Sequence, residues 1–253
     1  MHQNLHPGFN VYLQKQNAHE HGSHERMSVK DEINRDMVSY YRDRAQEYDR
    51  KAYDPHEQPA RQADIKKSTQ ILQEVFGGKS VLEIAAGPGF WTKIIAETAR
   101  SVTATDVNQA VIDIARTKQY PKDNVTFRVA DMYALGYLPP HDALFGGFIF
   151  SHILKQDYDK FLDTMNGYVV PGGTVVLMDN NKTLTPRPAD RTDEQGNNYR
   201  LRTLEDGSKH EIVKNYPTED ELKGLLRDRS TTMDFQNLEH YWILQYQTPM
   251  QEK

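Results

Sequence analysis

The chain has no cysteine, which excludes a disulfide framework and any thiolate metal site. No apolar run approaches the ~20 residues that a bilayer-spanning helix needs. The polar start Met1-His2-Gln3-Asn4 does not read as a signal peptide. A soluble, cytoplasmic protein is therefore the expectation. Basic clusters are also missing, and the net charge is −5, which argues against a protein that tracks nucleic-acid phosphates. There is no internal repeat and no persuasive carboxylate constellation, so no metal is expected. With 253 residues, the chain suits one α/β domain with additions.

What is present centres on Val81-Leu-Glu-Ile-Ala-Ala-Gly-Pro-Gly-Phe-Trp-Thr92. A short apolar run reads as a strand buried on both faces. Gly87-Pro88-Gly89 breaks it, and Trp91, Ile94 and Ile95 then recur at helical spacing. Strand, glycine turn and helix form the first half of a nucleotide-binding βαβ unit, because a bare backbone lets the ligand approach and the helix start offers free N–H groups. A dinucleotide fingerprint would want a third small residue at position 92, where this chain has Thr. Here Glu83 ends the strand, and Ala85, Gly87 and Gly89 follow at alternate positions.

This pattern resembles the first motif of class I S-adenosylmethionine-dependent methyltransferases, E-x-G-x-G-x-G, with Ala85 where the family most often has glycine. The resemblance spans about residues 36 to 247. It implies a Rossmann-like three-layer α/β sandwich whose mostly parallel seven-stranded sheet ends in an antiparallel hairpin, with N-terminal lid helices and a cap insertion. The runs Met233–Leu238 and Tyr241–Tyr246 fit that hairpin, as does the Pro171-Gly172-Gly173 turn before the fifth strand. The N-P-P-Y signature of DNA adenine methyltransferases does not occur.

Asp106 ends the second β-rich run, where an acid accepts from a ribose diol in NAD and S-adenosylmethionine sites alike. The third strand, Asn124–Ala130, leads into Asp131-Met132. The resemblance implies that Asp131 accepts from the adenine amino group while Val107 and Met132 line the base; plain strand-end packing is the alternative. Asn108 is placed to cap the next helix. The fourth strand, Asp142–Phe150, delivers Ser151 and His152 to the carboxyl end of the sheet, where ligands of open α/β folds bind. The cofactor-binding set is therefore Tyr41, Glu83, Ala85, Gly87, Gly89, Asp106, Val107, Asp131, Met132 and Ser151. His152 is the first candidate base and His210 the second, since imidazole titrates near neutral pH. A structural, hydrogen-bonded His152 is the competing reading.

Toward the N-terminus, residues 1–27 hold five of the ten histidines and read as a flexible extension, His19, His21 and His24 included. A domain over 28–253 follows, with helices over 28–76. Ser28-x-x-Asp31 suggests a capping box. Tyr40-Tyr41-x-x-Arg44-Ala45-x-x-Tyr48 resembles the family's lid helix, whose tyrosine faces would favour a sulfonium cation; a packing stripe is the alternative. That helix is expected to run to Asp54-Pro55, and a second from Pro59 to Phe76. Residues 182–216 form the cap insertion over the strand ends, or else a dimer contact. Within it Asp206-Gly207 signals a two-residue hairpin, which pairs Arg202 with Glu211 and puts Tyr199, Leu201, Thr203, His210 and Ile212 on the other face. Thr218-x-x-Glu221 is a second capping box.

The reading is methyl transfer from S-adenosylmethionine to an oxygen or nitrogen of a small-molecule acceptor, without nucleic acid or membrane partners and with a homodimer possible. An NAD(P)-binding oxidoreductase and a non-catalytic S-adenosylmethionine-binding regulator are the alternatives.

Overall fold

A computed structural model describes residues 29–182 and 187–250. The histidine-rich segment and Ser28 lie outside the described residues, as does the side chain of Asp31. At the centre is β1 (Ser80–Ile84), in which Val81, Leu82 and Ile84 have no exposed surface. It lies between β2 (Ser101–Asp106) and β4 (His141–Gly147), parallel to both. β3 (Val125–Val129) flanks β2, and β5 (Val169–Asn180) flanks β4.

Two antiparallel strands finish the sheet. In sequence order, with β6 to β8 falling in the insertion described below, they are β9 (Thr232–Asn237) and β10 (Tyr241–Gln247), and the sheet order is β3-β2-β1-β4-β5-β10-β9. The seven-stranded, mostly parallel sheet with its terminal antiparallel pair is the architecture expected.

Alternation along the strands divides the core between two faces. Val81, Phe145, Val176 and Ile243 pack with Ile65, Leu72 and Phe76 of α3 (Gln62–Phe76) and with Trp91 and Ile95 of α4 (Phe90–Ala96). Leu82, Leu144, Leu177 and Leu244 pack on the other side with Phe161, Leu162 and Met165 of α6 (Tyr158–Asn166), and with Leu222 and Leu226 of α7 (Glu219–Leu226). Helix, sheet, helix: three layers result. Thr218 and Glu221 form the reciprocal capping box at the start of α7. α5 (Gln109–Thr117) follows β2.

Three local expectations are corrected. The first helix does not continue to Asp54. α1 runs from Val29 to Asp43 and α2 from Tyr48 to Tyr53. Between them, Ala45 N–H bonds to Arg42 C=O and Glu47 N–H to Arg44 C=O, tighter three-residue closures that redirect the chain. Asn108 occupies the N-cap position of α5, but its side-chain amide donates to Val38 C=O instead of capping.

The hairpin register is the third. In the insertion, β6 (Arg191–Thr192), β7 (Asn198–Thr203) and β8 (Lys209–Val213) form a separate antiparallel sheet. Arg202 pairs with His210, and Leu201 with Glu211. The loop has three residues, Glu205-Asp206-Gly207, closed by a Leu204 N–H to Ser208 C=O bond, with Gly207 at φ +85°. One residue of slip exchanges the faces. Arg200, Arg202, His210 and Ile212 now share the inward side, and Leu201 is 48% exposed. Glu211 pairs with Arg191.

Among the described residues, no helix is long and apolar enough to cross a membrane.

Candidate functional site

The glycine turn after β1 takes up left-handed backbone at three positions. Ala85, Gly87 and Gly89 have φ of +50°, +57° and +83°. A Cβ on Gly87 would project into open space, whereas one on Gly89 would come within 2.6 Å of the Tyr120 hydroxyl. Gly87 therefore keeps a face open, and Gly89 allows the turn to pack against α5.

The acid at the end of β2 holds this turn in place. Asp106 accepts from the Gly87 N–H at 3.0 Å through one carboxylate oxygen and from the Asn108 N–H at 2.9 Å through the other. Each oxygen keeps a lone pair for a ligand diol. Burial raises the Asp106 carboxyl above its ordinary value, opposed by those backbone bonds. Glu83 is 2% exposed, and its Oε2 is buried without a hydrogen-bond partner. Burial pushes its carboxyl up to about 8. An orphaned carboxyl of this kind suits a cavity that receives a cationic ligand.

These groups line a cleft of about 880 Å³, counting the space open to solvent, bounded also by Met37, Val38 and Tyr41 from α1 and by Val107 and Phe148. A second cleft of about 890 Å³ lies beside it. Tyr41, Tyr48, Tyr53, Phe148 and His152 line both. Phe148, at the end of β4, has φ +59°, a costly conformation for a bulky residue. The strained backbone turns this ring into the wall between the clefts.

His152 is 5% exposed and bonded at both ring nitrogens. Nδ1 lies 2.6 Å from Val213 C=O, which only accepts, so Nδ1 carries the hydrogen. Nε2 is then the acceptor, and the Tyr41 hydroxyl donates to it at 2.7 Å. Burial, reinforced by the Lys214 ammonium, lowers the imidazole to about 3; burial also holds the Tyr41 phenol well above its ordinary value.

Behind His152, Lys214 donates to Ser151 Oγ at 2.7 Å and to Asp179 at 3.2 Å, and Asp179 accepts both the Ser151 N–H and hydroxyl. Burial alone would raise Asp179, but Lys214 and the surrounding donors hold it below its usual range.

Of the residues singled out from sequence, Tyr41, Glu83, Ala85, Gly87, Asp106, Val107 and His152 line the first cleft. Gly89 is buried against α5. Ser151 is 1% exposed and lines neither cleft. Asp131 is exposed and accepts from the Tyr133 N–H, while Met132 packs against the second core cluster; neither lines a cleft. His210 lines neither cleft and bonds Asp36 on α1 at 3.0 Å. The sequence reading did not assign site roles to Tyr53, Phe148 or Lys214. The strand-end rule applied to Phe148 was the one available signal.

A model of a methyltransferase domain matches residues 81–173. The demethylmenaquinone methyltransferase of Tropheryma whipplei (strain Twist) is 30% identical over 105 residues, 41% of this chain and 42% of that protein. The chain thus spans less than half the length of this relative. A structure described as a DhpI–SAH complex superposes with a TM-score of 0.71 at 25% identity, covering 86% of this chain and 97% of the other. The 1,6-didemethyltoxoflavin-N1-methyltransferase of Burkholderia thailandensis, with bound 1,6-didemethyltoxoflavin and S-adenosylhomocysteine, shares the fold at a TM-score of 0.59 and 18% identity, covering 88% and 92% of the two chains.

Proposed function

The chain has the fold and the methyltransferase domain of the class I S-adenosylmethionine-dependent enzymes, and from that premise we propose that it transfers a methyl group to an oxygen or nitrogen of a small-molecule acceptor. The observation that carries this reading is the common wall of the two clefts. One cleft is lined by Glu83, Gly87 and Asp106, which would hold the nucleoside, and the other is separate space that would take an acceptor, with Tyr41, Phe148 and His152 between them.

When bound, S-adenosylmethionine supplies a methyl group already activated on a sulfonium. Asp106 would hold its ribose, the backbone at Gly87 would admit its chain, and Glu83 would face its cationic portion. The protein's own work is to align the acceptor and exclude water. Tyr48 and Tyr53 enclose the junction, and their faces favour positive charge. An acceptor O–H or N–H that docks on Tyr41 would donate to the phenolic oxygen, which His152 Nε2 and, behind it, Val213 C=O hold in one orientation; the acceptor's proton would be released to solvent as the methyl group is transferred.

The 1,6-didemethyltoxoflavin bound by the Burkholderia thailandensis enzyme, which shares the fold, supports a small-molecule acceptor for this chain as well. The antiparallel ending of the sheet supports this reading over a dinucleotide oxidoreductase. The test is incubation of the full chain with methyl-labelled S-adenosylmethionine and a metabolite extract. Label should appear in a small molecule and be lost with Asp106→Ala. Tight cofactor binding without labelled product in any extract would favour a regulatory binder.

A further inference from the structure

The second cleft has an unusual charge. Arg44, Lys51, Arg61, Arg202 and Lys214 line it, and no aspartate or glutamate does. This concentration of cations occurs in a chain whose net charge is −5. Two of the five have acidic partners: Lys51 with Glu205 at 2.7 Å, and Lys214 with Asp179. The three arginines have none among the described residues. Arg44 bonds the Tyr40 hydroxyl at 3.1 Å and lies 5.0 Å over the Tyr48 ring. Arg61 reaches the Ala52 carbonyl at 3.4 Å. Arg202 Nε is buried with no hydrogen-bond partner.

Their origins show that the cluster is assembled. Arg44 follows α1, Arg61 precedes α3, and Arg202 comes from the insertion hairpin, where the three-residue loop turns it inward. Like charges gathered in a partly enclosed cleft repel one another, and a buried guanidinium N–H without an acceptor carries a desolvation cost. An anion removes both penalties, and guanidinium forks match oxyanions in geometry.

We propose that the acceptor bears an oxyanionic group, a carboxylate or a phosphate-type group, and that Arg44, Arg61 and Arg202 anchor it in this cleft. The anchor lies close to the common wall, since the Arg202 and Lys214 charges both act on His152. Arg202 and Arg44 are specificity-determining residues in this arrangement, and the inference rests on the methyltransferase reading for the identity of the bound molecule as an acceptor.

The test is calorimetry at low ionic strength on the full chain loaded with S-adenosylhomocysteine. Inorganic phosphate and acetate are the probes, with chloride as control. At least one oxyanion should bind near one-to-one, and at least tenfold more weakly in Arg44→Gln and Arg202→Gln. S-Adenosylhomocysteine affinity should be unchanged in both variants. Tighter phosphate binding identifies a phosphate-type anchor, tighter acetate binding a carboxylate. Arg202→Lys, which keeps the charge but loses the fork, should fall between wild type and Arg202→Gln.

Absence of binding by both probes, or equal binding by wild type and folded Gln variants, overturns the proposal. If S-adenosylhomocysteine binds and the anions do not, this inference alone fails. If S-adenosylhomocysteine itself does not bind, the methyltransferase reading fails.

Discussion

Tyr41 and His152, 111 residues apart, share a 2.7 Å hydrogen bond in which the phenol donates to Nε2. The direction is fixed from the far side of the ring, because Nδ1 must donate to Val213 C=O. The two residues therefore form one hydrogen-bonded unit on the wall between the clefts.

As a unit, they should respond non-additively to substitution. Tyr41→Phe and His152→Gln should each lower turnover by up to about 10² if the pair holds the acceptor in line, and the double variant should be little worse than the poorer single one. With His152 held near 3, turnover at saturation should not rise through the ordinary histidine range around 6.5. Single-turnover methyl transfer between pH 5.5 and 8 measures both. A rate that climbs through 6.5 and loses the climb in His152→Gln would contradict this account.

Asp106→Ala should weaken cofactor binding by roughly 1–3 kcal/mol, about ten- to a hundredfold. The loss has two sources: a ligand donor left poorly paired, and a Gly87 N–H released from its anchor. Titration with S-adenosylhomocysteine measures it. Asp106→Asn, which keeps one acceptor oxygen, should fall between alanine and wild type.

Glu83 makes cofactor binding proton-linked. In the free protein its carboxyl is neutral below about 8, and a cationic ligand beside it favours the carboxylate. Binding then releases a proton, so affinity should increase with pH between 6 and 8, by at most about tenfold per unit. Glu83→Gln should flatten that slope over the same range. An identical slope in wild type and variant would separate Glu83 from the ligand's charge.

The same two groups set opposite trends in stability. His152 has a folded value of about 3 against an ordinary 6.5, so the unfolded chain binds more protons between these limits. Stability from this group is complete above 6.5 and declines as pH falls toward 3. Glu83 has a folded value of about 8 against an ordinary 4.5. There the folded chain binds the extra proton, and stability declines as pH rises from 4.5 toward 8. Melting curves should show His152→Gln losing less stability than wild type on acidification below 6.5, and Glu83→Gln losing less on the way up to 8.

The parts legible in the sequence are those whose signal is local. β1, the glycine turn and α4 follow one another within Ser80–Ala96, and the terminal pair of strands is marked by two β-rich runs with a short link. The capping box at Thr218 needs only four residues. The insertion hairpin was less legible because Arg, Thr, His and Lys alternate there without a clear apolar face. The αL glycine closing a three-residue loop decided the register. Convergence across distant segments left no mark at all. Lys214 meets Asp179 and Ser151 from a separate part of the chain, and no spacing rule connects them. Asp131 and Met132, for which the resemblance implies contact with the adenine base, line neither cleft: Asp131 accepts from the Tyr133 N–H and Met132 packs against the second core cluster.

The slipped hairpin has a consequence for how such a protein diversifies. The groups facing the first cleft come largely from strand ends and the glycine turn, whereas Arg202 comes from a small sheet hung outside the main one and Lys214 directly follows its last strand. One part of the proposed anion anchor thus sits on a piece of backbone separate from the main sheet. Lengthening the Glu205–Gly207 loop by one residue, or shortening it by one, would change the register again and turn Arg202 away from the cleft. With Arg202 in the proposed anchor, a single indel would alter which acceptor fits while leaving the residues around Gly87 and Asp106 in place.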